Sequence, residues 1–202
     1  YDEHFSIAID HYNAGRYKLA ESEFKEILIE RKNYTDPASH LMLAKSQYFQ
    51  DKILECQRTC NSYLNKYPKS KYEVYVRVLL SDILIKKEKY SNVLGQLLPV
   101  RKEIQDSTML YNIDYRIFSS ITIGIKSNKI EELLFASENN INRSILNLAR
   151  SYRSLLDGNM NDMELSLSVI NSETLPIIYK NLFNGLNLFV GSENSSHSNV
   201  AV

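Results

Sequence analysis

One pattern recurs along this chain at a nearly fixed interval, and it limits the fold more than any other feature. It begins with a small residue on a first apolar stretch, Ala8, followed by Tyr12 and the turn Gly15-Arg16-Tyr17. Ala20, Phe24 and Ile27 then follow at three- and four-residue spacing. The skeleton returns 36 residues later as Leu43-Ala44, Tyr48, Asp51-Lys52-Ile53, Cys56, Cys60, Tyr63 and a closing Pro68. It returns again after a further 37 residues as Leu80-Ser81, Ile85, Glu88-Lys89-Tyr90, Val93, Leu97 and Val100. A unit of that length holds two helices and a turn. It cannot bury its own apolar face, so neighbouring units must stack to make a continuous core. Small residues are needed where the two helices of a unit touch, and larger ones fill the gap to the next unit.

The apolar spacing between these landmarks is that of amphipathic helices. It predicts a short helix over residues 5–12, then helices over about 17–31, 37–50, 52–66, 71–87 and 90–105. Asp36 is the expected N-cap of the third, with Pro37 in its first turn. Beyond residue 105 the pattern loosens but stays helical, over about 108–125, 129–138, 142–156, 161–171 and 174–189. Weak fourth and fifth units lie around Lys129-Ile130 and around Ala149, Tyr152 and Gly158-Asn159-Met160. The fold class expected is all-α, a right-handed α-α superhelix of about five helix pairs. Composition agrees: the 202 residues include 6 Gly and 4 Pro, against about 14 and 10 for an average chain of this length. That scarcity disfavours a β-sandwich or a phosphate-binding glycine loop.

Charge excludes further classes. The 24 Lys+Arg balance 24 Asp+Glu, whereas a broad nucleic-acid or anionic-lipid surface needs a cationic excess. Residues 1–105 carry 17 Lys+Arg and 14 Asp+Glu, and residues 106–202 carry 7 and 10, giving halves of +3 and −3. No apolar run is long enough to cross a membrane. Gly191 to Ser198 is small and polar and reads as a linker. The β-prone Asn199-Val200-Ala201-Val202 after it reads as the start of a further domain. The expected organisation is thus three clear helix pairs in 1–105, degenerate repeats in 106–190, and a linker with a domain start in 191–202. The chain opens Tyr-Asp-Glu without Met, so either a signal peptide has been removed or the sequence is part of a longer one.

The first unit, from Ile7-Ala8 through Gly15-Arg16-Tyr17 to Ala20, Phe24 and Ile27, resembles the tetratricopeptide repeat. The second and third units resemble it more distantly, with Asp51 and Glu88 in place of the turn glycine. The junction Tyr67-Pro68-Lys69-Ser70-Lys71-Tyr72 is similar to one found in bacterial envelope repeat proteins, including outer-membrane assembly lipoproteins and periplasmic cell-division coordinators. A helical-repeat region leading through a polar segment into Val-Ala-Val also looks like penicillin-binding-protein activators. The resemblance implies a scaffold that binds a protein or peptide, in the periplasm or anchored to the outer membrane, with the cytoplasm as the alternative location. A lipid anchor upstream of Tyr1 is compatible with it.

Candidate chemistry is sparse. Cys56 and Cys60 share a helix face. They occupy the positions of Ala20 and Phe24 one unit earlier, so they read as packing residues rather than half a metal site. His4 and His11 lie on one face, and His40 falls 36 residues after His4; without close His or Cys spacing they read as packing or surface residues, and no metal is expected. No nucleophile elbow, zinc motif or phosphate loop is present, so neither catalytic residues nor a cofactor is expected. Glu131-Glu132, Asp157 and Asp162 read as acids at helix starts.

What remains is a surface. In tetratricopeptide stacks the first helix of each pair lines the concave side. The repeat register puts Phe5, Ile9, Tyr12, Asn13, Leu41, Lys45, Tyr48, Tyr75, Asp82 and Lys86 there. Tyrosine suits such a surface, since it combines large apolar area with a polar tip. Phe5 and Ile9 stand where chaperone-binding members carry residues that hold a peptide carboxylate, so that clamp is not expected. The competing reading is a helical accessory region of a periplasmic ligand-binding or transport-associated protein, with its small-molecule site in a domain beyond Val202. An enzyme site in residues 106–190 is a third.

Overall fold

The computed structural model describes residues 3–30 and 36–198, with side chains described as far as Ser192, and there is no strand among the described residues. The fold is all-α, with helices that pack chiefly on their neighbours in sequence. The chain divides into two compact units, Tyr1–Lys87 and Glu88–Val202. The first holds α1 (Glu3–Asn13), α2 (Tyr17–Glu30), α3 (Pro37–Phe49), α4 (Ile53–Lys66) and α5 (Glu73–Lys86). The second holds α6 (Tyr90–Arg101), α7 (Ser107–Gly124), α8 (Ser127–Ala136), α9 (Asn140–Leu156), α10 (Met160–Ser168) and α11 (Ile177–Ser198), with a 3-10 turn at Ser172–Thr174.

In the first unit each helix packs on the next in sequence, and α3 also meets α5. The small residues do what the repeat demands. Ala8 and Ala20 are completely buried where α1 and α2 touch, and Phe24, Ile27 and Leu43 complete that core. One unit on, Cys56 takes the place of Ala20, and its thiol donates to the carbonyl of Ala44 at 3.1 Å. Both cysteines are free and buried, as packing residues should be. A hydrogen bond with Cys56 and burial together push the Cys60 thiol far above its ordinary pKa, which keeps it protonated and unreactive.

The turns that follow α1, α3 and α5 share a backbone conformation. Gly15, Asp51 and Glu88 all have left-handed φ, at 71°, 58° and 56°. Asp51 and Glu88 therefore adopt what glycine adopts freely, as the repeat alignment expects. Gly158 repeats it at 74° before α10. Before α8 the chain instead passes through extended Ile125 and Lys126.

Side-chain caps set the starts of α3, α7, α9 and α10. The Asp36 carboxylate accepts from the Ser39 amide at 2.9 Å and the Ser39 hydroxyl at 2.8 Å, with Pro37 opening α3. Asp106, Asn139 and Asn159 do the same for α7, α9 and α10, the standard way to satisfy otherwise orphaned amides.

In the second unit α6 packs on α7 and α9 on both α8 and α10, while α11 lies against α7, α9 and α10. Its core is Val93, Leu94 and Leu97, Ile113, Ile117 and Ile121, and Ile145, Leu148 and Ala149, closed by Met163 and Tyr179. Several boundaries differ from the sequence expectation. Helix α6 stops at Arg101 rather than 105, because turn hydrogen bonds from Glu103 and Ile104 lead into the Asp106 cap. Helix α10 stops at Ser168, and α11 starts at Ile177 rather than 174, because Pro176 forces Leu175 into an extended conformation. Helix α11 also continues through Gly191–Ser198, the stretch whose composition reads as a linker. Nothing in those small polar residues forbids a helix, and the Ser192 hydroxyl bonds back to the Phe189 carbonyl at 2.7 Å. Asn199-Val200-Ala201-Val202, the expected domain start, and Asn33-Tyr34-Thr35 in the expected break lie outside the described residues.

Candidate functional site

All ten residues assigned to the binding face fall in the first unit, on α1, α3 and α5. Ring contacts join three of them, Tyr12, Tyr48 and Lys86, through Tyr17 and Phe49, and Lys45 and Tyr75 form a separate pair. Tyr12 of α1 meets Phe49 of α3 edge-on at 6.0 Å and Tyr17 at 5.5 Å, and Tyr17 stacks on Phe49 at 4.9 Å. Phe49 in turn meets Tyr48 at 5.7 Å. From α5, the Lys86 ammonium lies 4.7 Å from the Tyr48 ring centre and 3.3 Å from the Asp51 carboxylate. The Lys45 ammonium of α3 lies 5.9 Å from the centre of the Tyr75 ring of α5. Ammonium groups at these distances are drawn to the negative ring faces.

The remaining assigned residues divide. Phe5 and Ile9 are half-buried and, with Tyr12, pack onto the α1–α2 core, Phe5 meeting Phe24 edge-on at 5.8 Å. Leu41 is 5% exposed, so it belongs to the core and not to an accessible face. Asn13 is exposed and Asp82 half-buried. Sequence reasoning missed Phe49, which is 53% exposed at the centre of the ring contacts. The signal was available, because Phe49 falls 36 residues after Asn13, the same interval that relates Tyr48 to Tyr12. Tyr17, read only as a turn residue, also joins this cluster.

A charged cluster braces the face from behind. The Glu21 carboxylate, 4% exposed, accepts from Lys25 at 2.7 Å, Lys52 at 2.6 Å and Gln50 at 2.8 Å. Gln50 also donates to the Tyr17 carbonyl at 3.1 Å. Burial pushes the Glu21 carboxyl up, but the hydrogen bonds from Lys25, Lys52 and Gln50 outweigh it and hold the pKa down at about 2. These bonds tie α2 to the α3–α4 turn and fix the helix that carries Lys45, Tyr48 and Phe49.

The histidines have separate environments. His4 pairs with Glu23 at 2.7 Å and approaches Glu30 at 3.5 Å, and chiefly the Glu23 bond raises its pKa. His4, Glu23 and Glu26 each offer an atom within 4.8 Å of the others, which ion pairing between α1 and α2 already explains. His40 packs edge-on against Tyr63 at 5.8 Å and Tyr67 at 5.6 Å, and burial lowers its pKa. In the Tyr67-Pro68-Lys69-Ser70 junction, Tyr63 and Ser70 share a hydrogen bond of 2.8 Å and Lys69 has a left-handed φ of 60°.

In the second unit several charged residues pair with one another. Asp162 in the first turn of α10 takes both Arg150 and the Ser154 hydroxyl, and the Arg150 bond holds its carboxyl below the usual range. Glu131 of α8 lies 3.4 Å from Arg150. Asp157 pairs with Arg153 at 2.9 Å. These acids therefore brace α8, α9 and α10.

No family model matches the sequence, and no curated protein matches it. Among solved structures, one titled "MamA MSR-1 C2" is similar, with 15% identity and a TM-score of 0.48 over 91% of this chain and 94% of that chain. A likeness that distant carries no functional argument, and the reading below rests on the site itself.

Proposed function

We propose that the chain is a non-enzymatic scaffold that binds a protein partner through the α1/α3/α5 face of its first unit. The observation that carries this is the cluster of Tyr12, Tyr17, Tyr48 and Phe49, continued by Lys86 and by Lys45 with Tyr75. A packing role accounts for the buried rings. It does not account for Phe49 and Tyr75, which stay 53% and 43% exposed, Tyr75 beside the Lys45 ammonium. Exposed aromatic side chains are enriched at recognition surfaces. The Tyr67 to Tyr72 junction is the support for an envelope location, which stays part of this proposal. The alternative of an accessory region serving a further ligand-binding domain rests on the residues after Ser198.

The test is affinity capture with quantitative mass spectrometry, comparing the protein with Phe49→Ala and Tyr75→Ala. Both side chains are exposed, so the variants should keep their melting temperatures and lose the same specific partners. Retention of every partner by folded variants would remove the face from the function.

A further inference from the structure

Lys45 is half-buried on the middle helix of the face, against the Tyr75 ring. Among the described residues no carboxylate stands within ion-pairing distance of it, whereas Lys86 has Asp51 and both Lys25 and Lys52 have Glu21. A half-desolvated ammonium is costly unless a negative group meets it. Burial alone lowers the Lys45 pKa, with no acid nearby to oppose it. One turn along the same side of α3 is Phe49, exposed at its outer edge and backed by Tyr12, Tyr17 and Tyr48.

We infer that this face binds an extended acidic peptide segment of the partner, with an Asp or Glu side chain on Lys45 and a bulky apolar side chain two residues away on Phe49. This rests on the scaffold reading above and specifies its ligand. The spacing follows from geometry. Residues four apart on a helix are separated by about 6 Å, and alternate side chains on one side of an extended chain by roughly 6.6 Å. Donor geometry, a single ammonium with no free arginine fork on α5, favours a carboxylate over a phosphate. Phosphate recognition favours forked arginine contacts, and Arg77, the arginine of α5, is engaged by Glu73 at 2.8 Å.

The experiment is selection of a random peptide library displayed with its C-termini fused, so that no free terminal carboxylate is offered. The baits are the full chain, Lys45→Met, Lys45→Arg and Phe49→Ala. The expected result is an Asp or Glu two positions from an aromatic or large aliphatic residue, kept by Lys45→Arg. Lys45→Met should keep the apolar preference and lose the acidic one. A synthetic consensus peptide, amidated at its C-terminus, should bind the full chain about tenfold more weakly after Asp→Asn or Glu→Gln replacement. That loss should vanish against Lys45→Met. An apolar consensus without an acid overturns the inference and leaves the scaffold reading standing. Acid preference that survives in Lys45→Met also overturns it. A library that yields no sequence above background overturns both. The peptide replacement against the full chain decides the matter even if Lys45→Met does not fold.

Discussion

Two buried carboxylates, one in each unit, are met by cationic side chains. In the second unit, Asp114 takes a two-pronged contact from Arg101, at 2.6 Å and 2.9 Å, with both side chains about 5% exposed or less. The Tyr179 hydroxyl of α11 adds a bond to the Asp114 carbonyl at 3.1 Å, and burial raises its pKa well above normal. Replacing Arg101 by Met strands the carboxylate and should cost about 3–5 kcal/mol. Tyr179→Phe removes one neutral donor and should cost about 1 kcal/mol. Urea titration checks both, and Arg101→Met with Asp114→Leu should recover most of the loss. Glu21 is the pH-sensitive counterpart. Its folded pKa of about 2 lies below the ordinary 4.5, so its contribution is complete above the unfolded value. It is lost as pH falls from 4.5 toward 2. At about 1.4 kcal/mol per unit the upper limit is about 3 kcal/mol. Melting temperature against pH should flatten over that window in Glu21→Gln, and an unchanged slope would remove Glu21 as the source.

The turns between helices carry the clearest element-scale prediction. Asp51 and Glu88 hold left-handed backbones at the repeat positions where Gly15 does so without strain. Glu88→Gly should stabilise the protein by about 1 kcal/mol, and Gly15→Ala should destabilise it by a similar amount. Asp51→Gly should gain nearly as much, because its pairing with Lys86 is exposed and weak. Thermal melts of the three variants decide this, and a loss on Glu88→Gly would contradict it. The same turns show why the elements were legible in the sequence. The interval from Gly15 to Asp51 to Glu88, together with the Asp36-Pro37 start, places the paired helices to within a few residues. The site was half legible by that interval, which reaches Tyr48, Lys45 and Lys86. Other features depend on contacts that no local pattern contains. Arg101 closes an apolar stretch in sequence and meets Asp114 and Tyr179 only once α6, α7 and α11 are packed. Leu41 follows the register of Phe5, yet the neighbouring helices cover it. Helix α11 outruns its apolar stripe into Gly191–Ser198, where composition alone reads as loop.

At the scale of the whole molecule the two compact units carry different kinds of residue. The lysine contacts on Tyr48 and Tyr75, and the half-buried Lys45 that has no acid beside it among the described residues, belong to Tyr1–Lys87. In Glu88–Val202 the notable charges answer one another, Arg101 with Asp114 and Arg150 with Asp162. Recognition therefore draws on the first unit, and the core charges of the second serve its own stability. Arg101→Met should lower the stability of residues 88–202 and leave the affinity of a peptide selected on the Lys45–Phe49 face unchanged within about twofold, a difference of about 0.4 kcal/mol. Glu21→Gln at neutral pH should do the reverse, weakening the same peptide by loosening the turn that fixes α3. Fluorescence polarisation below the melting temperature of each variant measures both. Equal weakening by the two substitutions would mean that binding draws on both units, and the assignment of recognition to α1, α3 and α5 would fail.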